Sequence, residues 1–203
     1  MGLIRYVLNV NNPWEYSIRK IEKKINKVEE NGILFIGSST FTLWTSLEQD
    51  LYPHKIINNG FGGAKIDDIV QNIDRILFPF NPRIIVLFIG TNDIAGKTPA
   101  AKEYVFNKYI ELVTLIKAKL PLTKIHYVSI TPTAARWNYW PIAHETNELI
   151  KEFSKKDKML SFIDTTELFL DETKPNLKLF KVDKLHPNRN GYLSLAQAIK
   201  NAI

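Results

Sequence analysis

Cysteine is absent from the 203-residue chain, which excludes disulfides, a thiolate nucleophile and a cysteine-ligated zinc site. The four histidines are scattered without metal-ligand spacing, so the sequence asks for no metal. No stretch approaches the ~20 apolar residues that cross a bilayer. The opening Met1 to Val10 lacks the basic lead and small-residue cleavage site of a secretory signal. The expectation is a cytoplasmic protein with no stable membrane insertion. Repeats, linkers and low-complexity tracts are missing too.

What is present is enough apolar material, 45% of residues, to close one substantial core. We therefore expect one domain over residues 1–203, with an N-terminal helix at about 14–30 ahead of a core at about 33–203. The formal charge of +6 raises the question of nucleic acid. In Arg19 to Lys27 and Lys151 to Lys158, however, bases alternate with acids, as on a solvated helix face. No nucleic-acid module accompanies the charge, so no such partner is expected.

Three short runs rich in β-branched residues read as buried strands: Ile33 to Ile36, Ile84 to Ile89 and Ile125 to Ile130. Lys55 to Asn58 and Leu160 to Ile163 are weaker candidates. Helical spacing lies between them, at Ile18, Ile21, Ile25 and Val28, at Ile66, Ile69, Val70 and Ile73, at Val105, Tyr109, Leu112 and Ile116, and at Tyr192, Leu195, Ala196 and Ile199. Strands apolar on both faces and alternating with helices predict a three-layer α/β/α sandwich around a five-stranded parallel sheet. Ligands of such sheets bind beyond the carboxyl ends of the strands, so the loops there are the candidate site.

The first such loop, Gly37-Ser-Ser-Thr40, precedes a helix expected near Phe41. A serine here can present its hydroxyl for chemistry, or Ser38, Ser39 or Thr40 can simply cap the helix. Asn92 in Gly90-Thr-Asn-Asp93 can donate to an oxyanion, or it and Asp93 can serve a turn. In Asp183-Lys-Leu-His186 a carboxylate stands three residues before an imidazole. If the segment turns, Asp183 accepts from Nδ1 and leaves Nε2 facing a nucleophile. The alternative is a surface histidine in a Pro/Asn/Gly loop. His54 follows a proline ahead of a strand and His126 lies within a strand; these two and His144 are assigned structural or surface roles.

Taken in order, these loops resemble the four blocks of the SGNH hydrolase superfamily of GDSL esterases and lipases, from about Ile33 to Tyr192. The resemblance implies a flavodoxin-like fold, with Ser39 as nucleophile, His186 as base and Asp183 as the acid that orients it. It further implies an oxyanion hole from Ser39, Gly63 in the block Asn58 to Gly63, and Asn92, with no cofactor. Ser38 stands where the family usually has aspartate, in a G-S-S variety often followed by a tryptophan, here Trp44; it is the fallback nucleophile.

The partner so implied is a small-molecule ester, hydrolysed through an acyl-enzyme. A carbohydrate O-acetylesterase, a thioesterase or lysophospholipase, and a catalytically silent binding module are the alternatives. The loop Thr131 to Pro141 offers Arg136 for an anionic group and Trp137, Tyr139 and Trp140 as pocket walls. Packing or an oligomer contact is the equal alternative for these aromatics.

Overall fold

The computed structural model describes residues 12–28, 31–97 and 101–203. All five expected strands form: β1 (Ile33–Gly37), β2 (Ile56–Asn58), β3 (Ile84–Phe88), β4 (Lys124–Val128) and β5 (Leu160–Ile163). They pair in parallel in the order β2-β1-β3-β4-β5, the flavodoxin-like winding. The helices are α1 (Glu15–Glu22), α2 (Ser39–Thr42), α3 (Leu47–Asp50), α4 (Ile66–Ile76), α5 (Thr91–Ile94), α6 (Ala101–Lys119), α7 (Trp140–Ser154) and α8 (Arg189–Lys200). A two-stranded antiparallel ribbon, β6 (Leu170–Asp171) and β7 (Lys174–Pro175), precedes α8 and was not expected. Among the described residues no helix is long and apolar enough to cross a membrane.

Strand side chains alternate between two cores, which is why the runs had to be apolar throughout. Leu34, Ile36, Ile85, Leu87, Ile125 and Tyr127 face the layer of α1, α4, α6 and α7, where Ile18, Ile69, Leu112 and Ile150 are buried. Ile33, Phe35, Ile84, Val86 and Val128 face the opposite layer of α2, α3 and α8, meeting Phe41, Trp44, Leu47 and Leu195. This two-sided burial is the pattern parallel sheets require.

Two expected boundaries need correction. The helix at about 14–30 ends at Glu22, and its extension is a series of tight turns, with Lys24 N donating to Ile21 O, Ile25 N to Glu22 O and Lys27 N to Lys24 O. Lys24 turns inward there and donates to the carbonyl of Asn58. Residues 29 and 30 lie outside the described residues. The segment through Pro141 is not one loop: a 3-10 turn at Ala134–Tyr139 leads into α7, which starts at Trp140 with Pro141 in its first turn, where a missing N–H costs nothing.

Candidate active site

The winding reverses between β1 and β3, and the crevice beyond their carboxyl ends is where the first and third loops meet. The strands leave no space for a side chain at the exit of β1, since a Cβ on Gly37 would lie 2.1 Å from Phe88 O. Past that glycine, α2 starts with Ser39 itself, two residues earlier than the expected Phe41. Ser38 holds the cap position without capping by its side chain. Its hydroxyl is buried and has no hydrogen-bond partner. Ser39 is half-buried, and its hydroxyl is not used in capping either: it lies 2.8 Å from His186 Nε2.

The base is held by its own loop. Asp183 Oδ1 accepts from the N–H groups of Leu185 and His186, both at 2.9 Å, while Oδ2 sits 2.8 Å from His186 Nδ1. Those bonds, the His186 N–H foremost, hold the Asp183 carboxyl down at about 2. The carboxylate is thus ionised, and it fixes the imidazole tautomer with Nδ1 protonated and Nε2 free to accept from Ser39. Asn188 then caps α8 by accepting from the Asn190 and Gly191 N–H groups.

Helix α8 is in turn fastened to the serine turn. Tyr192 donates to Thr40 O at 3.0 Å and stacks on Trp44 at 4.9 Å between centroids. Trp44 Nε1 donates to buried Asp50, which also receives both prongs of Arg189 at 2.5 and 2.6 Å. The tryptophan that follows the G-S-S block is therefore a strut between the segments that carry Ser39 and His186.

The second loop is stitched to the same turn, with Phe61 N donating to Gly37 O and Asn58 Nδ2 to Phe41 O. Gly63 takes φ +79°, and a Cβ there would lie 2.9 Å from the Trp14 indole. Both features demand glycine. Its neighbour Gly62 has nothing within 4 Å of a Cβ.

In the third loop Asn92 Nδ2 donates to Ala64 O at 3.0 Å, and Oδ1 accepts from Arg136 Nη2 at 2.9 Å. One amide hydrogen of Asn92 is left for a substrate. Asp93 turns away from the base: its buried carboxylate accepts from Ile66 N at the start of α4, and burial raises its pKa to about 6.

Ser39, Asn92, Arg136 and His186 line one narrow cleft, with Thr40, Phe88, Thr91, Thr131, Thr133 and Phe180 among its walls. Asp183 stands behind His186, and Gly63 is outside this lining. A second cleft shares Thr91, Thr131, Thr133 and Arg136 and ends on Tyr139 and Trp140. Trp137 lines neither; it stacks on Trp140 at 6.1 Å. The fork of Arg136, expected to meet a substrate anion, is occupied by Thr91 O at 2.6 Å and by Asn92. Sequence reasoning missed the threonine walls and the Trp14 cover over Gly63. Thr131 and Thr133 were legible as residues at the exit of β4, whereas nothing local marks Trp14.

An α/β/α sandwich with serine, histidine and aspartate in hydrogen-bonded series at its switch point defines a serine hydrolase. The pattern of the GDSL-like lipase/acylhydrolase family matches residues 37–193, and the chain belongs to that family, whose members hydrolyse esters. No curated protein matches it. Among solved structures, a proposed platelet activating factor from Streptococcus pneumonia shares 25% identity, over 93% of this chain and 91% of that one, with a TM-score of 0.82. A GDSL-like lipase from Bacteroides thetaiotaomicron shares 19% identity over 91% and 96% of the two chains, with a TM-score of 0.75. The acetylxylan esterase Axe2 from Geobacillus stearothermophilus shares 20% over 86% and 95%, with a TM-score of 0.64. At these last two identities the likeness is one of fold.

Proposed function

We propose that the protein is a serine-dependent carboxylic ester hydrolase that works through an acyl-enzyme. The observation that carries this reading is the unbroken series Asp183 Oδ2, His186 Nδ1, His186 Nε2 and Ser39 Oγ, with both contacts at 2.8 Å. His186 takes the Ser39 proton as Oγ attacks the ester carbonyl, and ionised Asp183 stabilises the imidazolium. The imidazolium then protonates the departing alcohol. Water, deprotonated by the same imidazole, adds to the acyl-enzyme and releases the acid.

The tetrahedral oxyanion is assigned to the Ser39 and Gly63 N–H groups and the free Asn92 amide hydrogen. Ser39 opens α2, so its N–H is one of those a helix leaves without an intrahelical acceptor. Loss of one such donor typically costs about 3 kcal/mol of barrier.

The cleft at Ser39 favours a short acyl group, acetyl above all, because it is walled closely by Thr91, Thr131, Thr133 and Arg136. The same close walls suit carbohydrate O-acetyl esters as a second reading, ahead of long-chain lipids. A catalytically silent binding module has no use for the intact Ser–His–Asp series. Turnover of p-nitrophenyl acetate, butyrate and octanoate and of acetylated xylooligosaccharides tests the reading. Fastest turnover on acetyl esters is expected, and preference for octanoate would refute the short-acyl assignment.

A further inference from the structure

Arg136 brings a guanidinium to the rim of the cleft, and burial alone accounts for the lowering of its pKa, with no acid meeting its charge among the described residues. Its partners are oxygens of two consecutive residues: Nη1 donates to Thr91 O at 2.6 Å and Nη2 to Asn92 Oδ1 at 2.9 Å. We propose that Arg136 is a positioning residue that holds the Asn92 amide in its oxyanion-donating orientation. The proposal rests on the oxyanion role assigned to Asn92 above.

The chemistry of the three groups permits one orientation. A guanidinium only donates, so it must face Oδ1; the Ala64 carbonyl only accepts, so it must face Nδ2. Between these two anchors the soft terminal torsion of asparagine is fixed, and the second N–H is aimed without reorganisation at the moment of reaction. With Ala64 O as the sole anchor the amide can swing. The planar fork also pins the Thr91 carbonyl of the same loop, which the single ammonium of a lysine does not reproduce.

Arg136 is itself braced. Its N–H donates to Thr133 O, and the preceding Ala135 N–H donates to Lys184 O at 3.1 Å, in the loop between Asp183 and His186. Its φ of −125° and ψ of 23° break the 3-10 turn around it. One short turn therefore touches both the oxyanion side and the base side of the cleft. A neutral substrate gains from Arg136 as much as an anionic one under this assignment.

The test is a double-mutant cycle on p-nitrophenyl acetate, a neutral ester, with wild type, Arg136→Ala, Asn92→Ala and the double variant. Arg136→Ala should lower kcat about 10-fold with KM nearly unchanged, the signature of an interaction made in the transition state. In the Asn92→Ala background the same change should cost less than about 2-fold, because the two residues act as one unit. Arg136→Lys keeps charge and bulk, which guards against misfolding, and should be impaired nearly as much as Arg136→Ala. Added methylguanidine should restore part of kcat to Arg136→Ala only while Asn92 is present. Equal losses in both backgrounds, or a rise in KM confined to anionic esters with kcat intact, would overturn the proposal. Wild-type kcat in Asn92→Ala would instead remove the oxyanion assignment on which it rests.

Discussion

Tyr192 donates its phenol to the carbonyl of Thr40, 3.0 Å away and buried, and so joins the helix after the base to the turn of the nucleophile. Tyr192→Phe leaves that carbonyl without a partner in a site closed to water. We expect a stability loss of about 1–3 kcal/mol, read from urea unfolding, together with lower kcat because Ser39 and His186 lose a shared tie. Unchanged unfolding would show that the contact contributes nothing.

Ser38 and Ser39 should separate cleanly. The Ser38 hydroxyl is buried without a partner, so Ser38→Ala removes an unsatisfied group and should be neutral or stabilising by up to about 1 kcal/mol, with activity retained. Ser39→Ala should lower kcat by at least about 10⁴-fold. The reverse order of effects would move the nucleophile to Ser38.

Glycine is required at 63 and not at 62. Gly63→Ala should reduce both stability and kcat, since φ is +79° and the new methyl meets Trp14 at 2.9 Å. Trp14→Ala in the same chain should recover part of the loss, from the contact but not from the dihedral. Gly62→Ala, with open space around a Cβ, should unfold like wild type. Thermal melts of these three variants beside wild type check the order.

Two buried groups give pH effects of opposite sign. His126, buried in β4 with neither ring nitrogen partnered, has its pKa lowered by burial from 6.5 to about 4. Between these values the unfolded chain binds the proton and the folded one does not, so His126 makes stability fall as pH drops from 6.5 to about 4. Asp93 is raised from 3.8 to about 6. Over that window the folded state binds the extra proton, and stability from Asp93 rises as pH falls. His126→Leu should therefore lose less Tm than wild type on going from about pH 7 to about pH 4.5. An equal or larger loss would contradict the burial of a neutral imidazole.

Most of the fold was legible because each strand is buried on both faces, so Ile33 to Ile36 and Ile84 to Ile89 had to be continuously apolar. Ser39, Asn92, Asp183 and His186 were legible as polar residues at strand exits and in a short D-x-x-H turn, but spacing alone left a helix cap, a turn and a surface histidine as alternatives, and the resemblance to the four family blocks gave them their roles. The start of α7 was not, since Ala134 to Tyr139 has no period and Trp140 reads equally as loop or helix. Neither was the use of Arg136: its partners Thr91 and Asn92 are 45 and 44 positions away, and nothing in a local window says that its fork is filled by its own chain. Trp14 over Gly63 escaped for the same reason.

The central claim, that Ser39 is the activated nucleophile, is tested most directly by reacting folded protein with a fluorophosphonate and locating the adduct by mass spectrometry. The account predicts one stoichiometric adduct on Ser39, abolished by unfolding and strongly slowed in His186→Ala. An adduct on Ser38, or none on Ser39 in folded protein that also fails to turn over p-nitrophenyl acetate, would contradict it.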